Sequence, residues 1–296
     1  MIFLLLTILA NVGIFMAFRA FSHFKVNTFP AIVTNYAVCV ITGSLYTGPQ
    51  EVIDRLDPGA PWFAFAGFLG VIFVSTFFLM ARTTQLRGVA VATVASKMSL
   101  AIPVVFSLFI FQISSTPLDA WNYAGIVLAF VAIMMVSKPK EQQSSPALSL
   151  KTLALPLAVF LLGGVIDTSL NYANHHWINA DIEPVFPILT FGFAFAIGMI
   201  VCLVRGIKFR RVDILAGILL GVPNYFSIFL QLKALTAFDN NGAILYPSLN
   251  IGIIIGSTLA AVLIFREKLG RINQVGVALA VIVIFLLSHQ EILKNL

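Results

Sequence analysis

The chain has 296 residues, of which 59% are hydrophobic and only 10% are charged, with a mean hydropathy of +0.99. A soluble domain carries roughly 45–50% apolar and about 25% charged residues. These figures exclude a soluble globular, disordered or disulfide-scaffold protein, because so few charges cannot cover a 32.2 kDa domain and only two cysteines are present. The composition predicts an all-α integral membrane protein.

Apolar runs long enough to cross a bilayer recur along the whole chain. A membrane helix needs about 20 mostly apolar residues to span about 30 Å of hydrocarbon. Such runs predict ten transmembrane helices, and no loop between them is long enough for a separate domain. The predicted spans are 1–20, 29–46, 62–81, 88–111, 119–137, 153–173, 184–204, 212–235, 241–265 and 270–289.

The uneven distribution of basic residues predicts the orientation. Of the 18 Lys and Arg residues, 14 follow the odd-numbered spans, and three lie in the even-numbered loops or at the C-terminus. Basic residues stay preferentially in the cytoplasm, so both termini are predicted to face the outer, periplasmic side. This topology explains the net charge of +6 without a nucleic-acid partner. The first span carries its charges after the apolar stretch, which favours a retained helix over a cleaved signal peptide.

Two similar stretches lie 151 residues apart. Asn122–Ala129 reads NYAGIVLA and Asn273–Ala280 reads NQVGVALA, so Asn, Gly, Leu and Ala coincide. The ten spans divide into two groups of five, 1–137 and 152–296, around a polar cytoplasmic linker, 138–151. Because five is odd, the second unit enters the membrane from the opposite side. Inverted repeats of this kind are typical of secondary transporters.

Several short motifs follow one another in an order that resembles a known family. They are SKMSLAIPVVFS at 96–107, GVPNYF at 221–226, KAL at 233–235, YPSLN at 246–250 and FREKL at 265–269. The chain resembles the drug/metabolite transporter superfamily, and within it the EamA-type transporters. The resemblance covers nearly the whole chain.

This resemblance implies a carrier of small organic metabolites, acting as an exporter in the inner (plasma) membrane of a bacterium. Such carriers usually have an acidic residue just past the fourth helix of each unit. Glu267 occupies that place in the second unit, whereas the first unit has Gln112 or Ile113 there. This departure argues against a symmetric role for the acid.

Lys97 is predicted to lie near the middle of the membrane. It follows Arg87 by roughly nine residues of helix, which places it about 14 Å deep. A charge at that depth usually faces a cavity or a partner, and Ser96, Ser99 and Pro103 share its side of the helix. We expect Lys97 to attract an anionic group such as a carboxylate. The alternative is a structural ion pair, or hydrogen bonds to backbone carbonyls.

Asp167 is the second charge predicted at membrane depth. Asn171 and Asn174 follow it at i+4 and i+7, on the same face of the sixth span. Its carboxylate is expected to pair with Lys97, to meet a substrate ammonium, or to carry a proton during transport. The sequence leaves these three alternatives open.

Further polar groups lie on the eighth and ninth spans. Asn224 and Tyr225 follow a helix-breaking proline, and Tyr246 and Asn250 share a face of the ninth span. The Asn224 amide is expected either to bind substrate or to repair the exposed backbone. The predicted substrate-binding residues are Lys97, Asp167, Asn224, Tyr225, Asn250, Tyr246, Ser96 and Asn171.

Together these features predict a secondary transporter that works by alternating access and moves a small organic metabolite, such as an amino acid or another carboxylate-bearing solute. The alternative is a channel or passive facilitator, although no ring of carbonyls or charges typical of a selectivity element is present. No zinc spacing, phosphate-binding loop or nucleophile motif occurs, so no enzymatic activity, catalytic residue, metal or cofactor is expected. The expected partners are a small-molecule substrate and the lipid bilayer, with a monomer or homodimer as the assembly.

Overall fold

The computed structural model describes residues 2–102, 119–137, 150–237 and 242–294, and these residues contain no β-strand. The described part of the chain is helical throughout, apart from short connections. A 3₁₀ turn, Met98–Leu100, follows the fifth helix. The helices are α1 (Ile2–His23), α2 (Thr28–Thr47), α3 (Pro49–Asp54), α4 (Pro61–Arg87), α5 (Val89–Lys97), α6 (Ala120–Ser137), α7 (Leu150–His176), α8 (Val185–Val204), α9 (Arg211–Ala237), α10 (Gly242–Phe265) and α11 (Arg271–Lys294).

Seven of the described helical segments are long and apolar enough to cross a membrane. They lie in α1, α2, α4, α7, α8, α9 and α10. The predicted spans 119–137 and 270–289 correspond to shorter apolar helices, Ala120–Val136 and Arg271–Leu287. The prediction of a helical integral membrane protein is confirmed at this level, while the count of ten spans and the orientation stay predictions.

Some sequence predictions fall outside the described residues. The predicted span 88–111 begins as α5, but its second half, including Pro103, is not described. The same holds for most of the predicted linker, at 138–149, and for Gln112 and Ile113.

The outward faces of the long helices are apolar. Val204, Leu219 and Leu263 expose 81%, 75% and 77% of their surface, and many other large apolar side chains are exposed beside them. A soluble protein rarely leaves contiguous apolar surface uncovered. A bilayer covers such a surface without cost, and the helical backbone satisfies its own hydrogen bonds there.

The helices pack in a network that links the two halves of the chain. α2 packs against α8 and α9, and α4 packs against α7 and α8. α1 packs against α9 and α10, α5 against α7 and α10, and α6 against α11. Nearly every extensive interface therefore joins a helix from the first half to one from the second.

Two glycines 151 residues apart make related close approaches between helices. A Cβ added at Gly221 would lie 2.8 Å from the carbonyl oxygen of Asn35, and one added at Gly70 would lie 3.1 Å from that of Thr190. The two carbonyls are themselves 155 residues apart. Small residues let helices approach closely in a membrane, and here they do so at related places in the α2–α9 and α4–α8 pairs.

α6 and α11 form two equivalent sets of hydrogen bonds with each other, one from an asparagine on each helix. The Asn122 side-chain amide donates hydrogen bonds to the carbonyls of residues 286–287, at 3.4 and 3.2 Å. The Asn273 amide donates to the carbonyls of residues 135–136, at 3.2 and 2.7 Å. Donors and acceptors are both displaced by 151 residues. The repeat found in the sequence thus corresponds to a repeated set of hydrogen bonds.

A sharp turn at Gly88 separates α4 from α5. Gly88 has φ +97°, a conformation that other residues adopt only with strain, and a Cβ there would lie 3.1 Å from a Glu267 carboxylate oxygen. That carboxylate accepts a hydrogen bond from the Val89 amide at 3.2 Å and pairs with the Arg19 guanidinium at 2.8 Å. Glu267 therefore caps the positive N-terminal end of α5 and ties it to α1.

The close approach at Gly70 predicts a stability difference between two glycines of one helix. Gly70→Ala should destabilise the protein by about 1–3 kcal/mol, because the new methyl group overpacks the backbone of α8. A Cβ at Gly67 would meet Phe193 at an ordinary 3.6 Å, so Gly67→Ala should leave stability unchanged or raise it slightly. Thermal unfolding of both variants in detergent measures the difference. Equal unfolding temperatures would contradict the packing described here.

Candidate substrate-binding site

A cavity of about 70 Å³ lies where α1, α4, α5, α7 and α9 meet. Apolar side chains such as Phe15, Phe73 and Phe77 form one part of its wall. Its polar lining comes from Asn11, Thr76, Ser96, Lys97, Asp167, Asn224, Ser227 and Gln231. Four of the predicted site residues, Ser96, Lys97, Asp167 and Asn224, are thus brought together.

The end of α5 positions Lys97. The α-helix stops at Lys97 and continues as the 3₁₀ turn Met98–Leu100. Mid-helix 3₁₀ segments often mark functional hinges. Lys97 therefore occupies the point inside the bundle at which the α-helix changes to a 3₁₀ turn.

The Lys97 ammonium is left without a protein partner in the described part of the chain. It forms no hydrogen bond there, and no ion pair within 4 Å. Its side chain is half-buried and lines the cavity. The structural ion pair that the sequence left open is not seen among the described residues. A cation that lines a cavity and has no contact partner among the described residues is available to a ligand that enters the cavity.

Asp167 on α7 faces the same cavity and contacts Ser99. The Ser99 Oγ lies 2.8 Å from a carboxylate oxygen of Asp167 and also within hydrogen-bonding distance of the Ser96 carbonyl. A hydroxyl has a single hydrogen. Ser99 therefore donates to an ionised Asp167, or it donates to the Ser96 carbonyl and accepts a hydrogen bond from a protonated Asp167. The absence of a side chain at Gly163, whose Cβ would lie 3.2 Å from the Ser99 hydroxyl, leaves room for this arrangement.

Lys97 and Asp167 are the two charged side chains among the described residues that line the cavity. Each lies within electrostatic range of the other, yet these two described side chains form no ion pair within 4 Å. Their charges are compensated at a distance rather than neutralised by contact. Such a site can bind a zwitterion, with an anionic group on the lysine and a cationic group on the aspartate.

Asn224 links two helices and reaches the cavity. Its amide nitrogen donates to the Asn35 side-chain oxygen at 3.1 Å, across the α2–α9 interface. Within the described structure, the Asn224 oxygen and the Asn35 nitrogen are buried without partners. An unsatisfied buried polar atom costs about 1–3 kcal/mol. A polar ligand or water at the Asn224 oxygen would remove part of that cost.

The other predicted site residues lie elsewhere. Tyr225 stacks on Phe229, with ring centroids 5.8 Å apart, on the side of α9 that packs against α2. Tyr246 and Asn250 of α10 are buried but are not part of the cavity lining, although Tyr246 lies within electrostatic range of Asp167. Asn171 is exposed, although it follows Asp167 at i+4. None of these four side chains is part of the cavity lining.

Four lining residues were not among the predicted site residues. Ser227 and Gln231 follow Asn224 at i+3 and i+7, so the helical face that predicted Asn224 also contains them. Asn11 is an isolated amide in an apolar span, and Thr76 lies in an equally apolar one. The polar face of α9 could have predicted Ser227 and Gln231 from the sequence. The isolated polar residues Asn11 on α1 and Thr76 on α4 could not be predicted in this way.

The chain is similar to one protein in sequence and to another in overall fold. No family model matches the chain. An uncharacterized protein of Haemophilus influenzae is 25% identical over 224 residues, which is 75% of this chain and 74% of that protein. A solved crystal structure superposes with a TM-score of 0.61 at 14% identity and covers 98% of this chain and 97% of the other. The chain therefore shares its overall fold with a solved protein.

The absence of a described contact partner for Lys97 predicts how its removal affects stability. Lys97→Met should change the unfolding temperature little, because the variant breaks no described hydrogen bond or contact ion pair and Asp167 keeps its contact with Ser99. Arg19→Met should lower stability by about 1–3 kcal/mol, because it leaves a nearly buried Glu267 carboxylate without its cation. Thermal unfolding in detergent compares the two. A loss for Lys97→Met as large as that for Arg19→Met would indicate a structural lysine.

Proposed function

We propose that this protein is a secondary transporter that moves a small carboxylate-bearing solute, with amino acids as the first candidates, out of the cell across the inner membrane. The observation that carries the proposal is the pair of opposite charges, Lys97 and Asp167, facing one cavity without forming an ion pair. A zwitterionic solute satisfies both charges. We propose further that the protein belongs with the EamA-type carriers, which its sequence motifs resemble.

The proposed architecture is two inverted five-helix units, 1–137 and 152–296. The helix contacts support it, because they recur when the units are exchanged: α2–α9 corresponds to α4–α8, α1–α9 to α4–α7, and α1–α10 to α5–α7. The repeated hydrogen bonds of Asn122 and Asn273 support it at the level of single atoms. Such correspondence is expected when a two-fold axis relates two units, and an odd number of spans per unit puts that axis in the membrane plane.

Two ion pairs at opposite ends of the bundle suit a carrier that opens one face at a time. Glu267 joins α1 and α5 through Arg19 and Val89 at one end. At the far end of α9, Lys233 pairs at 3.1 Å with Glu183, which precedes α8. The start of α9 lies on the Glu267 side, because Asp213 there accepts a hydrogen bond from the α1–α2 connection. Breaking one ion pair while keeping the other would open a single face.

The central cavity is small, at about 70 Å³. Under the proposed alternating access, the helices around Lys97 separate on one side at a time, which widens the cavity so that a substrate can enter.

The charge at Lys97 predicts a transport phenotype. A thermal-shift screen of amino acids and small carboxylates first identifies a ligand, because a ligand that binds the folded state raises its apparent stability. In proteoliposomes, Lys97→Gln should reduce counterflow of that labelled ligand about tenfold or more. Lys268→Gln, which removes an exposed lysine outside the cavity, should transport at the wild-type rate.

Two outcomes would contradict the proposal. Wild-type counterflow in Lys97→Gln would show that the substrate does not use this cavity. Flux that rises linearly with concentration, without saturation or trans-stimulation, would indicate a channel or passive facilitator.

Asp167 predicts how transport responds to a proton gradient. An imposed pH gradient should drive accumulation of the ligand by the wild type but not by Asp167→Asn, since an amide cannot carry the proton. Exchange at equal pH should persist in this variant at raised ligand concentration. Ser99→Ala keeps the carboxyl group and should retain gradient-driven accumulation. Unaltered accumulation in Asp167→Asn would remove Asp167 from proton coupling.

A further inference from the structure

A second and larger cavity, of about 740 Å³, lies between α2, α4 and α8. Its inner wall is apolar, with side chains such as Val71, Phe78 and Val201. Two exposed arginines, Arg82 at the end of α4 and Arg205 just after α8, line it together. We call this cavity the lateral groove.

The lateral groove lies on the outer side of α4. At 100° per residue, Val71, Phe78 and Arg82 fall within about 40° of one another. Phe73 and Met80, which line the central cavity, lie about 180° away on the opposite side of the same helix. The groove therefore faces the surrounding lipid and is separated from the Lys97 cavity by the body of α4.

A comparison with the related position in the second half shows what the groove lacks. Arg82 corresponds to Lys233 at a displacement of 151, and Lys233 pairs with Glu183 at 3.1 Å. Glu183 lies 155 residues after Thr28. The same displacement of 155 residues separates the α2 and α8 carbonyls that Gly221 and Gly70 approach. Where the second half has a carboxylate, the first half has a hydroxyl, which accepts a hydrogen bond from Gln85 at 2.8 Å. Lys233 therefore has an anionic partner within the protein, whereas Arg82 has none among the described residues.

Neither arginine has a partner in the described structure. The guanidinium groups of Arg82 and Arg205 form no ion pair or hydrogen bond with described residues. Both lie at one end of an apolar groove, α4 supplying one and α8 the other. A ligand that satisfies this arrangement has an anionic group at one end and a hydrocarbon chain at the other.

We propose that the lateral groove binds an anionic phospholipid, with its phosphate between Arg82 and Arg205 and an acyl chain along the apolar wall. The planar guanidinium groups match phosphate oxygens well. Basic pockets between membrane helices on the cytoplasmic side suit anionic headgroups, and the distribution of Lys and Arg predicts that this end of α4 is cytoplasmic. A bound lipid supplies from outside the anion that Glu183 supplies internally to Lys233, and it ties α4 to α8.

The test measures binding of two lipids to delipidated protein in detergent by native mass spectrometry and thermal shift. Dioleoyl phosphatidylglycerol should bind about tenfold more tightly than dioleoyl phosphatidylcholine, which has the same chains and a zwitterionic headgroup. The Arg82→Gln/Arg205→Gln variant should lose this preference. The matched control, Arg87→Gln/Lys208→Gln, removes two exposed charges near the same end but outside the groove and should retain it.

Further arms distinguish the source of the anion and the place of binding. Inorganic phosphate should give no stabilisation, whereas stabilisation equal to that by phosphatidylglycerol would indicate a site for free phosphate and overturn the proposal. Val71→Trp fills the apolar wall at an exposed position without changing charge, so it should weaken phosphatidylglycerol binding several-fold even if the double arginine variant does not fold. Unchanged binding in Val71→Trp, or equal loss in the matched control, would show that the lipid binds elsewhere through diffuse charge.

Discussion

The ammonium of Lys97, which has no contact partner among the described residues, is the constraint around which the polar residues of the central cavity are arranged. Apolar side chains offer this ammonium no hydrogen-bond acceptor, so the charge must be met by a cavity and by opposite charge nearby. Four further helices turn polar groups toward it, including Asp167, Asn224 and Gln231. The change from α-helix to 3₁₀ turn directly after Lys97 lies beside the same cavity.

The contacts between helices are close to symmetric, but the charges are not. Gly70 repeats the approach of Gly221, and the α6–α11 interface repeats its own hydrogen bonds. In contrast, the acid Glu183 of the second unit corresponds to Thr28 of the first. At the position that corresponds to Glu267, the first unit has Gln112 or Ile113 instead of an acid. Under the proposed function, the symmetric contacts provide two equivalent arrangements of the helices. The asymmetric charges make the two faces chemically different, which a carrier with a preferred direction requires.

The sequence predicted features whose physical cause is local. Apolar runs predicted the long helices, and the cost of charge in lipid predicted that Lys97 and Asp167 face a common interior. It could not predict that Asn250 lies outside the cavity lining, because packing against α1 and α5 sets the rotation of α10. The capping of α5 by Glu267 was equally inaccessible, since the two segments are 178 residues apart in sequence. The weak match of Asn122 with Asn273 proved informative because both amides meet backbone carbonyls that the helix geometry repeats.

The single hydrogen of Ser99 connects the protonation of Asp167 to the charge of the cavity. With Asp167 ionised, Ser99 donates to it and the charges of Asp167 and Lys97 sum to zero, which suits a zwitterion. With Asp167 protonated, Ser99 donates to the Ser96 carbonyl instead. The Lys97 ammonium then gives the cavity a net positive charge. A substrate ammonium and a proton then compete for one carboxylate. Under the proposed function, this competition suffices for exchange of a proton against a substrate, because whichever cation occupies Asp167 when one face closes is released when the other opens.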